Sequence, residues 1–223
     1  MFELQVPFGY TLDYFMPNKG YTTTDNTGNF DPMGRNNLLA KQNKARDIVL
    51  SNNYDYLLFI EEDMVIPANT IELLLACNSQ VAYGLYVFRR QPYMVSCWVG
   101  IEENSIFGLS IDKFPTAYQK AYNSIVDCDG VGFGCTLIHR TVLETFPFRV
   151  GWDEKTKTGA IPHSDMWFSA DCIRYGITQR CNLECKCGHI TQVNENNEPI
   201  ASIMFPDKDN VVTFIPYDEV EIL

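Results

Sequence analysis

No stretch of this sequence is strongly basic. Lysine and arginine total 17 against 28 aspartates and glutamates, a formal net charge of −11, and the cations are scattered. Neutralising a phosphate backbone requires clustered positive charge, so no nucleic acid is expected among the partners. Nor does any apolar run approach the roughly 18 residues that a spanning helix needs. The first residues, MFELQVPFGYTLDYF, lack the basic region, apolar centre and small-residue cleavage site of a secretory leader. The expectation is a soluble, cytoplasmic chain without a transmembrane segment. Internal repeats and low-complexity tracts are missing too. With three histidines in 223 residues, any imidazole-built site draws on His139, His163 or His189 alone.

Cysteine, by contrast, occurs eight times. Cys77, Cys97, Cys128, Cys135 and Cys172 sit singly inside apolar segments, where a thiol behaves as a small hydrophobe, and this usage fits a reducing compartment. The remaining three, Cys181, Cys185 and Cys187, join His189 in a C-x3-C-x-C-x-H pattern. Such compact spacing differs from the paired C-x2-C knuckles of structural zinc sites, and a zinc-binding module stands as an alternative reading.

A hydrophobic content of 46% over this length supports one sizeable core and a single domain over 1–223. Leu38, Leu39, Ala45, Ile48 and Val49 form a helical stripe in residues 36–53, which feeds a buried strand at Tyr56–Ile60. Asn69 with Glu72 resembles a capping box opening the helix through IELLLAC, and a second strand follows at Val81–Phe88. This strand–helix–strand order predicts an α/β fold with a mainly parallel central sheet flanked by helices, its ligands beyond the carboxyl ends of the strands. Residues 89–123 read as irregular hairpins and loops. SIVDCDGVGFGCTLIHR reads as strand, glycine-rich bend and strand, followed by a short helix near Thr141–Phe146 that Pro147 ends. Residues 149–163 read as a loop. Ser164–Tyr175 reads as a helix with Ser164 as N-cap, Met166, Ala170 and Ile173 on one stripe and Gly176 as its stop. A strand at Ile177–Cys181 leads to ECKCGHI, and the tail after Gln192 is polar and then strand-like.

The segment YDYLLFIEEDMVIP, Tyr54 to Pro67, ends a strand in concentrated negative charge. If extended backbone continues past Ile60, Glu61 and Asp63 project together while Glu62 points away. Paired carboxylates suit hard divalent cations, Mg2+ or Mn2+, which keep waters and bridge to substrate phosphates. A solvated acidic turn fits the same spacing.

Five blocks in order, FIEEDMVIPANTIELLL, VAYGLYVFRRQPY, DGVGFGCTLIHRTVLETFPF, SDMWFSADCIRYGI and CGHI, resemble the GT-A glycosyltransferases related to glycosyltransferase family 2. The resemblance spans about residues 36–190. It implies a metal-dependent transfer of a sugar from a nucleotide-diphosphate sugar donor to a hydroxyl of a glycan, lipid-linked or protein acceptor. The nucleotide-sugar-binding part would occupy about residues 1–90, the acceptor and catalytic part about 91–192, and a C-terminal extension 193–223. The family's Asp-x-Asp motif falls on Glu61, Glu62 and Asp63, making Asp63 the expected metal ligand; the first position departs from the pattern by one methylene. Arg46 falls near the nucleotide, though a solvated helix arginine fits it equally. Gly132, Phe133 and Gly134 fall on the bend beside the acceptor, and as isolated glycines they also suit a β-bulge. The family's acidic pair at a helix start falls on Ser164 and Asp165; only the second acid is kept, and Asp165 becomes the general base of an inverting transfer. His189 falls on a second metal ligand, with Gly188 allowing a tight turn that aims the ring. Imidazole suits Mn2+ better than Mg2+, and metal affinity is then expected to fall below about pH 6.5. Trp152, an aromatic in the polar stretch RVGWDEKTKTG, reads as a lid or acceptor platform. Two rivals remain: a nucleotidyltransferase, for which residues 1–35 lack the glycine-rich basic segment that would hold a triphosphate, and a non-catalytic sugar-nucleotide binder.

Overall fold

Proline opens the first helix, α1 (Pro32–Ser51), where its fixed φ suits the helical turn and its missing N–H costs nothing. Asn53 follows the helix in the left-handed region, φ +64°, a conformation that asparagine tolerates. Gln42, Ala45 and Val49 form the buried stripe. The computed structural model describes residues 4–15, 32–87, 95–98, 125–152, 160–161, 164–193, 199–206 and 212–216. Of these, 32–36, 151–152, 160–161, 191–193, 199–206 and 212–216 are described by backbone alone. Of the loops expected over 89–123 and 149–163, residues 89–94, 99–123, 153–159 and 162–163, with Phe88, lie outside the described residues.

Five strands form the larger sheet in the order β1-β5-β3-β8-β4, comprising β1 (Tyr56–Ile60), β3 (Val81–Leu85), β4 (Ile125–Asp127), β5 (Cys135–His139) and β8 (Gln179–Lys186). Only β3 and β8 run parallel; β5 is antiparallel to both β1 and β3, and β4 is antiparallel to β8. The sheet is therefore mixed and mostly antiparallel, unlike the mainly parallel one expected, because β5 intervenes between the two strands that were to pair. Burial explains the order. VAYGL is buried at all five positions and CTLIH at four, the two-faced apolar pattern of interior strands. YLLFI is half-buried with Ile60 exposed, so it takes the edge rather than the buried place expected of it.

A second sheet has the order β11-β10-β9-β2, with β2 (Met64–Val65), β9 (Gly188–Val193), β10 (Pro199–Pro206) and β11 (Val212–Pro216). Cys187 alone separates β8 from β9, so the chain leaves one sheet for the other within one residue. A two-stranded pair joins β6 (Gly151–Trp152) and β7 (Ala160–Ile161). Residues 4–15 form no strand; Gln5 N–H donates to the Ala68 carbonyl at 2.8 Å, and a turn at Gly9 (φ +88°) follows.

Three more helices complete the described fold: α2 (Thr70–Leu75), α3 (Arg140–Thr145) and α4 (Ser164–Arg174). Asn69 makes no side-chain capping bond at α2; instead the Thr70 hydroxyl donates to the Pro67 carbonyl at 2.6 Å. On α4 the buried face is Ser164, Phe168, Ser169, Asp171 and Cys172, not the expected stripe of Met166, Ala170 and Ile173. Asp171 tolerates burial because Arg149 grips both its oxygens at 2.6 Å, a bidentate pairing. The Arg149 guanidinium also lies 4.3 Å from the Trp167 ring centroid. Gly176, φ +65°, ends the helix as its lack of a Cβ allows.

Phe133 packs against Phe59, Phe148 and Phe168 with ring centroids 5.2–5.6 Å apart, joining sheet to helix. Phe133→Ala is expected to cost about 3–5 kcal/mol, read as a lowered urea midpoint. Native stability with impaired acceptor binding would instead give the ring a ligand-facing role.

Candidate functional site

After Ile60 the chain does not continue extended. Met64 N–H donates to the Glu61 carbonyl at 3.1 Å and Glu61 N–H to the Gly134 carbonyl at 3.2 Å, so residues 61–64 make a tight turn. Glu61 and Glu62 are exposed and Asp63 half-buried. The turn, rather than strand alternation, sets the direction of Asp63. Its carbonyl accepts from Ile190 N–H at 2.9 Å, and the β2/β9 register pairs Met64 with His189 and Val65 with Gly188. Backbone pairing thus fastens the acidic turn beside His189. Gly188 sits within this strand and not at a positive-φ turn, so the register aims the ring and the glycine does not.

His189 is buried, 7% exposed. Its Nδ1 lies 2.8 Å from the Val87 carbonyl oxygen, which can only accept, so Nδ1 carries a proton and donates. Nε2 faces Asp63 Oδ2 at 3.7 Å. In the neutral ring, Nε2 is itself an acceptor, so two lone-pair donors face one another beyond hydrogen-bond length. A cation placed between two such atoms would be coordinated by both. One carboxylate oxygen and one imidazole nitrogen are ligand types that a divalent cation such as Mn2+ accepts.

Tyr86, immediately after β3, connects this pair to the second half of the site. Its ring meets His189 edge to face, centroids 5.6 Å apart. Its hydroxyl accepts from Gly134 N–H at 3.4 Å. A Cβ built on Gly132 would stand 2.1 Å from the Tyr86 Oη and 3.2 Å from Asp165 Oδ2. Glycine is required there for close approach, since neither Gly132 nor Gly134 has positive φ. Asp165 lies in the first turn of α4, its Oδ1 accepting from Met166 N–H at 2.8 Å, which leaves Oδ2 as the oxygen facing Gly132. Burial pushes the Tyr86 phenol well above its ordinary value, with the Glu61 and Asp165 charges adding to the rise. The phenol therefore stays protonated and acts as a hydrogen-bond donor.

Of the residues singled out in the sequence, Glu61, Gly132, Gly134, Asp165 and His189 gather around Tyr86, and Asp63 joins them through His189. Phe133 does not, being 4% exposed within the aromatic core; alternation along the bend turns it away from its glycine neighbours. Arg46 donates through Nε to the Leu143 carbonyl at 2.7 Å and through Nη1 to Asp47 at 3.3 Å, tying α1 to α3 rather than reaching the acids. Glu62 is exposed on the turn. The backbone of Trp152 is in β6, and its side chain lies outside the described set. The cysteine–histidine pattern is divided. Cys181 hydrogen-bonds with Cys97, Cys185 and Cys187 meet Cys135, and His189 turns to Asp63. Tyr86 was the residue missed in the sequence. Its signal was position, the carboxyl end of a central strand where α/β ligands collect, but in a strand as apolar as VAYGLYVF a tyrosine reads as core.

Among the described residues, no helix is long and apolar enough to cross a membrane. No family model matches the chain, and no curated protein matches it. Among solved structures it is similar to the one described as A197 from STIV, with 16% identity and a TM-score of 0.46, covering 79% of this chain and 75% of that one.

Proposed function

We propose that this chain is a metal-dependent glycosyltransferase of the GT-A type, related to family 2, moving a sugar from a nucleotide-diphosphate sugar to an acceptor hydroxyl. The observation that supports it best is the opposition of His189 Nε2 and Asp63 Oδ2 at 3.7 Å, with Asp165 across Tyr86 from that pair. In this reading Asp63 and His189 would hold Mn2+, which would offset the charge that the diphosphate gains on leaving. The acceptor hydroxyl forms its bond to the anomeric carbon as the bond to the diphosphate oxygen breaks, and the departing oxygen takes the electron pair. Asp165 Oδ2 takes the hydroxyl proton, since a sugar hydroxyl is far too weak an acid to ionise alone. Gly132 gives the Tyr86 phenol room to lie close beside Asp165. Attack on the face opposite the leaving group gives inversion. Eight free, buried thiols support a reducing, cytoplasmic setting.

A calorimetric screen of sugar nucleotides with and without Mn2+ tests the reading. Binding of one donor only with the metal, and release of free nucleoside diphosphate on turnover, are expected; pyrophosphate release would point to nucleotidyl transfer instead. His189→Ala is expected to weaken Mn2+-dependent donor binding at least about tenfold. In the parent protein the affinity should fall as pH is lowered, because a protonated Nε2 has no lone pair to offer. Unchanged affinity in His189→Ala would leave the histidine a purely structural role.

A further inference from the structure

The strand switch from β8 to β9 buries three sulfurs together. Among the described residues, Cys135, Cys185 and Cys187 are the group of metal-ligating side chains whose ligand atoms all lie within 4.8 Å of one another, and all three are fully buried. Tetrahedral coordination with metal–sulfur bonds of about 2.3 Å places sulfurs about 3.8 Å apart, so small side-chain shifts suffice. The backbone keeps the centre of the group clear. A Cβ at Gly84 would stand 2.8 Å from the Cys187 Sγ, 3.0 Å from the Cys135 Sγ and 3.1 Å from the Cys185 Sγ. Three sulfurs therefore converge on the space above one glycine, and any side chain on β3 would fill it.

We infer that Cys135, Cys185 and Cys187 form a metal centre for a thiophilic divalent cation of the zinc class, separate from the Asp63–His189 pair. The chemistry of the donors selects the ion. Thiolates are soft ligands that favour zinc over Mg2+ or Mn2+, and three of them leave one net negative charge around a divalent ion against two around a monovalent one, in a core where unpaired charge is costly. Polar neighbours are at hand. The Gly84 N–H bonds to Cys135, and the Thr70 hydroxyl, which gives its own proton to the Pro67 carbonyl, accepts from the Cys185 thiol at 4.0 Å. Such an ion ties β5 to the β8–β9 junction, next to the Cys187 N–H that donates to the Leu85 carbonyl at 2.7 Å. The sulfurs are enclosed, so the ion enters as the chain folds.

The test is metal analysis of the full-length protein purified without added metal, followed by X-ray absorption at the edge of the metal found. One equivalent of zinc with a shell of three sulfurs is expected. Cys135→Ser should reduce the metal content at least tenfold, whereas Cys172→Ser and His189→Ala retain it. The absorption measurement needs no variant and decides the matter even where Cys135→Ser fails to fold. Protein isolated without metal that takes up no zinc on refolding, or a shell of nitrogen and oxygen alone, overturns the assignment.

Discussion

Asp63→Asn is expected to abolish Mn2+-dependent binding of the sugar nucleotide while leaving the fold intact. The amide keeps the shape of the carboxylate but removes its charge, and an amide oxygen is a much poorer partner for a hard divalent cation. The fold survives because the contact that fixes this turn is made by the backbone: the Asp63 carbonyl, not its side chain, accepts from Ile190 N–H at 2.9 Å. Opposite the substituted group, His189 keeps its bond to the Val87 carbonyl, but a single imidazole in an acidic crevice does not hold the ion. The expected loss is at least about 100-fold in donor affinity, equivalent to about 2.7 kcal/mol, measured by calorimetry at matched Mn2+ with thermal unfolding as control. Equal affinity in variant and parent would remove Asp63 from the metal site. Zinc content should be unchanged in this variant, since the three thiols do not involve it, and that keeps the two sites distinguishable.

The parts of the fold legible in the sequence are those in which neighbouring residues decide the outcome. Helix α1 with Ala45 and Val49 on its buried face, the glycine stop at Gly176, and the strand–bend–strand of residues 125–139 follow from periodicity and backbone chemistry. The sheet order does not. Whether β1 or β5 lies beside β3 depends on which run is apolar on both faces, a comparison between segments far apart in the chain. The α4 stripe misled for a related reason, because Asp171 is buried only by virtue of Arg149, 22 residues earlier. At the site, Asp63, Asp165 and His189 could be named from residue type and motif order. Their convergence on Tyr86 is tertiary, as is the division of the cysteines. Spacing grouped Cys181, Cys185, Cys187 and His189, whereas folding replaces Cys181 with Cys135 and sends His189 to another sheet.

Asp165→Asn is expected to preserve donor binding and lower turnover by about 10²–10⁴-fold, the range for loss of a positioned general base. The side chain is distant in function from the metal pair: its Oδ1 accepts the Met166 N–H, and its Oδ2 faces Gly132, where a Cβ would lie 3.2 Å away. The amide can keep the first contact through its oxygen but has no basic site to take the acceptor proton. The Tyr86 phenol does not replace it. Burial and the surrounding carboxylates keep the Tyr86 phenol protonated, so that hydroxyl gives a hydrogen bond and does not remove a proton. Nor is the loss a matter of helix placement, because α4 is held independently by the Arg149–Asp171 pair. The decisive comparison is kcat against donor Kd at saturating Mn2+. A fall in kcat with unchanged Kd assigns Asp165 to the transition state, a parallel loss of donor affinity would move it to the binding site, and parent-level turnover would take it out of the mechanism.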